Sequence, residues 1–146
     1  MKNLIRTTLV MLTLLATMSS CEKEELISTA KLPVEISDYI STHFPNNAIV
    51  QSVLDQEGLT KTYEIFLEGN FTLEFNSKYE IVDIDGVTKL PDTVIPQPIL
   101  DYVAQNYPDN FIIGWELERT YQQVELNSTV ELEFKMDGTF IRIDID

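Results

Sequence analysis

Cysteine and histidine are almost absent from this chain, whose 146 residues include one of each, Cys21 and His43. A lone cysteine cannot form a disulfide within the chain. Neither residue has the sequence partners of a nucleophilic Cys–His or Ser–His pair, or of a His/Cys metal cluster. We therefore predict no catalytic residues, no cofactor and no metal site, and we expect that the protein is not an enzyme.

Basic residues are also scarce, with 10 Lys and Arg against 24 Asp and Glu and a net charge of −14. Lys2 and Arg6 lie within the first 20 residues, which contain no acid, so the rest of the chain is more acidic still. Such a surface repels phosphate backbones and anionic lipid headgroups. The composition therefore excludes a nucleic-acid partner and disfavours adsorption to a membrane through charge.

Long apolar runs are missing as well. The apolar run around residues 9–16 spans about ten residues, whereas a membrane-spanning helix needs roughly 20. It follows the basic start of the chain and precedes the small residues Ser19 and Ser20, which is the layout of a secretory signal peptide. We therefore predict that residues 1–20 are a signal peptide and that the chain has no transmembrane anchor.

The lone cysteine comes directly after this leader. The sequence Met18-Ser-Ser-Cys21 resembles the lipobox of bacterial lipoproteins, in which the cysteine is lipidated and becomes the mature N-terminus. The resemblance implies attachment to the bacterial outer membrane through lipid on Cys21, on the periplasmic or the cell-surface face, with residues 21–31 as a tether. The acidic stretch that follows is similar to a surface-export signal, or is a hydrophilic tether. The alternative is a plain signal peptide followed by an incidental cysteine.

The remaining chain is duplicated. Residues 36–50 read ISDYISTHFPNNAIV and residues 99–113 read ILDYVAQNYPDNFII. Further downstream, Asp83-Ile-Asp85 recurs as Asp144-Ile-Asp146. We interpret residues 32–89 and 90–146 as two copies of one supersecondary unit.

Each copy changes from a helical to a strand pattern. Apolar residues at helical spacing open both copies, followed by a proline at Pro45 or Pro108. Alternating segments such as 71–75, 130–134 and 140–146 follow, separated by turn residues. The pattern predicts an α+β fold of two tandem units, each one helix followed by a four-stranded antiparallel meander. The helix is expected to pack on one sheet face, and the other face to be wet and acidic.

Two carboxylate patterns are interpreted as surface features. Glu74 and Glu133 alternate with apolar residues, whereas glycosidase carboxylates require a cleft. Asp83 and Asp85 lie on one side of a strand, but a calcium loop needs more oxygen ligands and a later bidentate Glu.

Two aromatic residues are candidates for partner binding, namely Trp115 and Tyr121. Trp115 could belong to an exposed aromatic patch or to the core. Because Val124 and Leu126 share one strand face, Tyr121 falls on the other face, unless a bulge intervenes.

The order of helix, aromatic-Pro and four strands, then Leu-Pro and the same again, resembles the PepSY-like, β-lactamase-inhibitor-like repeat family of secreted bacterial proteins. The resemblance implies an exported protein of tandem α+β units, and it does not imply β-lactamase inhibition, because the true inhibitors carry disulfides. We expect a non-catalytic, lipid-anchored envelope protein that binds a protein or peptide. The alternative is a structural or assembly component, or a spacer, of the cell envelope.

Overall fold

The structure is a computed structural model that describes residues 22–144. The predicted signal peptide, Cys21 and the last two residues lie outside the described residues. The described part contains two ten-residue helices, α1 (Val34–His43) and α2 (Gln97–Asn106), and two short 3₁₀ turns. Its nine strands are β1 (Glu22–Leu26), β2 (Ile49–Glu57), β3 (Thr60–Leu67), β4 (Phe71–Phe75), β5 (Ile81–Gly86), β6 (Ile112–Leu117), β7 (Tyr121–Leu126), β8 (Glu131–Lys135) and β9 (Phe140–Asp144).

All nine strands form one antiparallel sheet, and each strand pairs with the next along the chain. The prediction of two units, each a helix and its own four-stranded meander, is therefore wrong. Strand β5 pairs with β6 through Asp83–Glu116, Ile84–Trp115 and Asp85–Gly114, which joins the two copies into one sheet. The physical reason is that separate meanders would leave the backbone N–H and C=O groups of both edges unpaired. A ninth strand, β1, comes from the segment predicted to be a tether.

The helices form where the apolar spacing predicts them. Helix α1 follows Pro33 and buries Ile36 and Ile40, while α2 follows Pro96 and buries the equivalent Ile99 and Val103. Both helices contribute these side chains to the same buried cluster as the sheet residues, so one core lies beneath the two helices.

The buried face of the sheet includes one continuous cross-strand row of apolar side chains. Successive strands place directly opposite one another Ile65, Leu73, Ile84, Trp115, Val124 and Leu132. All six are buried in the core. Because side chains alternate along a strand, the residues on either side of this row point to the opposite face of the sheet.

The register also corrects the alignment of the two copies. Glu74 of β4 lies opposite Asp83, and the equivalent Glu133 of β8 lies opposite Arg142. Both strand pairs are irregular at the next residue. Asp83 is therefore equivalent to Arg142, and the match of Asp83 to Asp144 in the sequence is wrong by two residues.

Candidate binding face

The face away from the helices carries a row of carboxylates that the sequence did not reveal. Its members are directly opposed on four neighbouring strands, β3 to β6, and they are Glu64, Glu74, Asp83 and Glu116. We call these four residues the acidic row. Directly opposed side chains in an antiparallel pair have Cβ atoms about 4.5–5.5 Å apart, and like charges at this spacing are destabilising.

The carboxylates of the acidic row are electrostatically strained. Partial burial, followed by repulsion from Asp85, Glu116 and Glu74, raises the pKa of Asp83 to about 7. Burial raises the pKa of Glu74 as well, with further contributions from Glu64 and Glu116. Within residues 22–144, none of the four row members forms an ion pair with Lys or Arg. Their negative charge is therefore uncompensated in this part of the chain.

In the second repeat, an arginine neutralises the carboxylate at the equivalent position. The Nε of Arg142 donates a hydrogen bond to Oε2 of Glu133 at 2.8 Å, and its Nη2 donates to Oε1 at 2.6 Å. These hydrogen bonds lower the pKa of Glu133, although the residue is only 4% exposed. Asp83 occupies the position equivalent to Arg142, so the first repeat has two opposed acids where the second has an ion pair.

A glycine opens a small depression beside the acidic row. Gly114 lies between Asp85 of β5 and Glu125 of β7 in the neighbouring cross-strand row. A Cβ atom at Gly114 would lie 3.3 Å from Oδ1 of Asp85 and 3.2 Å from Cβ of Glu125, so both side chains border the space above the glycine. The depression has a volume of about 90 Å³ and is also lined by Asp83 and Glu116. We call it the Gly114 notch.

A larger, more apolar cleft adjoins the notch at the end of strands β3 to β5. It has a volume of about 500 Å³, and its walls include Val50, Phe66 and Val87. Val50 is 68% exposed and Val87 is 67% exposed. Asp85 lines both this cleft and the Gly114 notch, so the two depressions are neighbours on the same face. We call the second one the β3–β5 cleft.

The two aromatic residues predicted for partner binding lie on opposite faces of the sheet. Trp115 is in the core row and only 8% exposed, and its Nε1 donates to Oε1 of Gln122 at 3.0 Å. The register of β7 and β8 contains no bulge, so Gln122 and Val124 both face the core. Tyr121 therefore lies on the acidic face, where it is partly exposed. Their role in partner binding stays a prediction, as does lipidation of Cys21, which lies outside the described residues.

The lone histidine makes a structural contact. Nδ1 of His43 lies 3.0 Å from Oγ1 of Thr93, and its ring packs against Tyr39 with centroids 4.4 Å apart. In the part of the chain that the structure describes, no three His, Cys, Asp or Glu side chains are grouped closely enough to hold a metal ion.

Alternation in the sequence assigns each carboxylate of the acidic row to the wet face. It does not reveal that the four lie directly opposite one another, because this depends on strand pairing and on bulges. The presence of Asp83 in one copy and Arg142 at the equivalent position of the other indicates an unpaired acid in the first copy. The two-residue error in the sequence alignment of the copies hides this difference.

A family model described as "Putative beta-lactamase-inhibitor-like, PepSY-like" matches residues 17–83 and again residues 82–142. The chain belongs to this PepSY-like family. The model thus matches two tandem regions of the chain, and the family resemblance inferred from the sequence is confirmed. A comparison of this PepSY-like chain with curated proteins found no significant match.

Solved structures of Bacteroides proteins are similar to this PepSY-like chain. A Bacteroides thetaiotaomicron protein described as "a putative calcium-regulated periplasmic protein" is 27% identical, with a TM-score of 0.79, over 84% of this chain and 97% of that one. Two Bacteroides vulgatus structures, both described as putative periplasmic proteins and one as of unknown function, are each 28% identical with TM-scores of 0.78. They match over 84% of this chain and 98% and 100% of their own. Among residues 22–144, no helix is long and apolar enough to span a membrane.

Proposed function

We propose that this PepSY-like protein is an exported, non-catalytic binding protein of the cell envelope that holds a protein or peptide partner against its acidic sheet face. The observation that carries the proposal is the acidic row, in which four directly opposed carboxylates have no basic partner within the described residues. Such a row reduces the stability of the free protein. Features that violate the rules of stable folding are concentrated at functional sites, and a cationic partner would relieve the repulsion.

The partner is tested by affinity capture from envelope extracts. The bait is the exported protein, and the face variant combines Glu74→Gln with Asp83→Asn. The matched control combines Asp101→Asn with Asp109→Asn, two exposed acids on α2 and in the loop after it, which removes the same number of carboxylates. A protein captured by the wild type and the control, but not by the face variant, supports the proposal. Equal capture by all three baits, or by none, would contradict it and favour the spacer alternative.

The proposed location is the periplasmic or surface side of the outer membrane, with lipid on Cys21 as the anchor. The lipobox-like sequence supports the anchor, and the description of related proteins as periplasmic supports export. Replacement of Cys21→Ser should move the protein from the membrane fraction to the soluble fraction. If the variant fractionates with the membrane as the wild type does, the anchor is not lipid on this residue.

Calcium regulation is a second candidate function, favoured by the description of the Bacteroides thetaiotaomicron protein. Ca²⁺ takes oxygen ligands, and the Gly114 notch is bordered by the carboxylates of Asp83, Asp85 and Glu125. These side chains would have to rotate towards one another, since no group of three is close enough in the described residues. Titration calorimetry with CaCl₂, with MgCl₂ as the comparison, tests this function. Heat of binding that persists in Asp85→Asn would place the calcium elsewhere.

A further inference from the structure

The acidic face and the β3–β5 cleft together point to a partner of defined chemistry. We propose that the partner is an extended peptide segment whose arginine enters the Gly114 notch and whose apolar side chain, four residues away, enters the β3–β5 cleft. This inference rests on the proposed binding function, and it adds the class of partner and the place where it is held.

The second repeat contains an internal example of how this sheet face holds a guanidinium group. Arg142 binds Glu133 through two hydrogen bonds of 2.6 and 2.8 Å, which is the strong bidentate geometry that distinguishes arginine from lysine. In the first repeat, Asp83 takes the place of that arginine and faces Glu74. A guanidinium supplied by a partner would give the unpaired acids of the first repeat a cationic partner on the same sheet face, as Arg142 gives one to Glu133.

The Gly114 notch has the size and lining for such a group. Its volume of about 90 Å³ is several times the space that one buried water needs, so the planar, four-atom head of an arginine fits there. Asp83, Asp85 and Glu125 supply the carboxylates around it. Gly114 leaves the floor free of a side chain, and any larger residue would displace the neighbouring acids.

The β3–β5 cleft supplies the apolar half of the surface. The cleft is lined by Phe66 and by the exposed valines Val50 and Val87, and Asp85 lines both the cleft and the notch. Gly114 of β6 and Phe66 of β3 are three strands apart in the same cross-strand row, which corresponds to about 14 Å at about 4.8 Å per strand. An extended peptide covers this distance in about four residues at about 3.3 Å each.

Charge complementarity indicates which kind of molecule binds to the acidic face. A second copy of this chain would bring a net charge of −14 against an acidic face, and anionic lipid or nucleic acid would be repelled for the same reason. A segment with an arginine is attracted, and the attraction weakens as salt is added.

The test uses a labelled synthetic peptide, acetyl-Arg-Ser-Thr-Ser-Leu-amide, and a second peptide with citrulline in place of arginine, which keeps the shape and removes the charge. Binding to the exported protein is followed by backbone amide shifts in NMR spectra. Saturable shifts are expected at residues 85–87 and 114, with little change in α1 and α2. The citrulline peptide, and the arginine peptide with Asp85→Asn, should bind at least tenfold more weakly.

Asp109→Asn serves as the matched control and should bind the arginine peptide as the wild type does. The backbone amide spectrum of each variant also shows whether that variant is folded. Equal binding of the two peptides, unchanged binding by Asp85→Asn, or shifts confined to another surface would each overturn the inference. If envelope capture yields a partner that depends on the acidic row while the arginine peptide does not bind, this inference fails and the proposed function stands. Absence of both kinds of binding would overturn both.

Discussion

Replacement of Asp83 with asparagine should stabilise the protein at pH 8 and have little effect at pH 4. The pKa of Asp83 is about 7 in the folded protein, against an ordinary value of 3.8, chiefly because of burial and then because of repulsion from Asp85 and Glu116. Between these pH values the folded protein retains a proton that the unfolded chain has released. Stability therefore falls as the pH rises from about 4 to 7 and stays lower above that range.

The magnitude follows from the difference in pKa. At about 1.4 kcal/mol per unit, the full difference corresponds to about 4 kcal/mol. Asp83 is only partly buried, so solvent screening reduces this figure, and we expect about 1–2 kcal/mol. Asparagine cannot ionise, so Asp83→Asn should gain this amount at pH 8, which corresponds to an increase in Tm of about 3–8 °C.

Urea unfolding at pH 4, 6 and 8, followed by fluorescence of Trp115, measures the effect. This residue is the only tryptophan in the chain and lies in the core row. Asp109→Asn, in the exposed loop after α2, controls for the change in net charge. The reasoning is refuted if Asp83→Asn gains nothing at pH 8, or if it gains the same amount at pH 4 and pH 8. Adding 1 M salt should reduce the part of the gain that comes from repulsion between carboxylates.

Two further predictions concern packing and buried hydrogen bonds. Gln122→Ala should lower the free energy of unfolding by about 1–3 kcal/mol, because it leaves the buried indole N–H of Trp115 without its acceptor and removes one of the two hydrogen bonds that the carbonyl of Lys135 accepts. Urea unfolding measures the loss, and a value near zero would mean that water replaces the amide. Gly138→Ala should lower the free energy of unfolding by about 1–3 kcal/mol, since Gly138 has a φ of +82° and the new Cβ would lie 2.7 Å from Cβ of Pro98. An unchanged Tm would show that α2 shifts without loss of stability.

The sequence by itself determined the local elements and the duplication. Apolar side chains at Ile36 and Ile40, and again at Ile99 and Val103, recur at helical spacing, and both helices form there. Strict alternation likewise determined which side chains of a strand share a face. These features depend on residues close together in the chain, so the amino-acid pattern is sufficient to predict them.

Only the tertiary structure decided how the two copies join and which acids meet. Strand β5 pairs with β6 in the middle of the sheet, and β1 pairs with β2 at one edge. Both are hydrogen-bonded contacts between segments far apart in the sequence. Matching irregularities in β4–β5 and β8–β9 then place Asp83 where the second copy has Arg142. Alternation assigns a face but not a register, and the register brings four like charges together across one sheet.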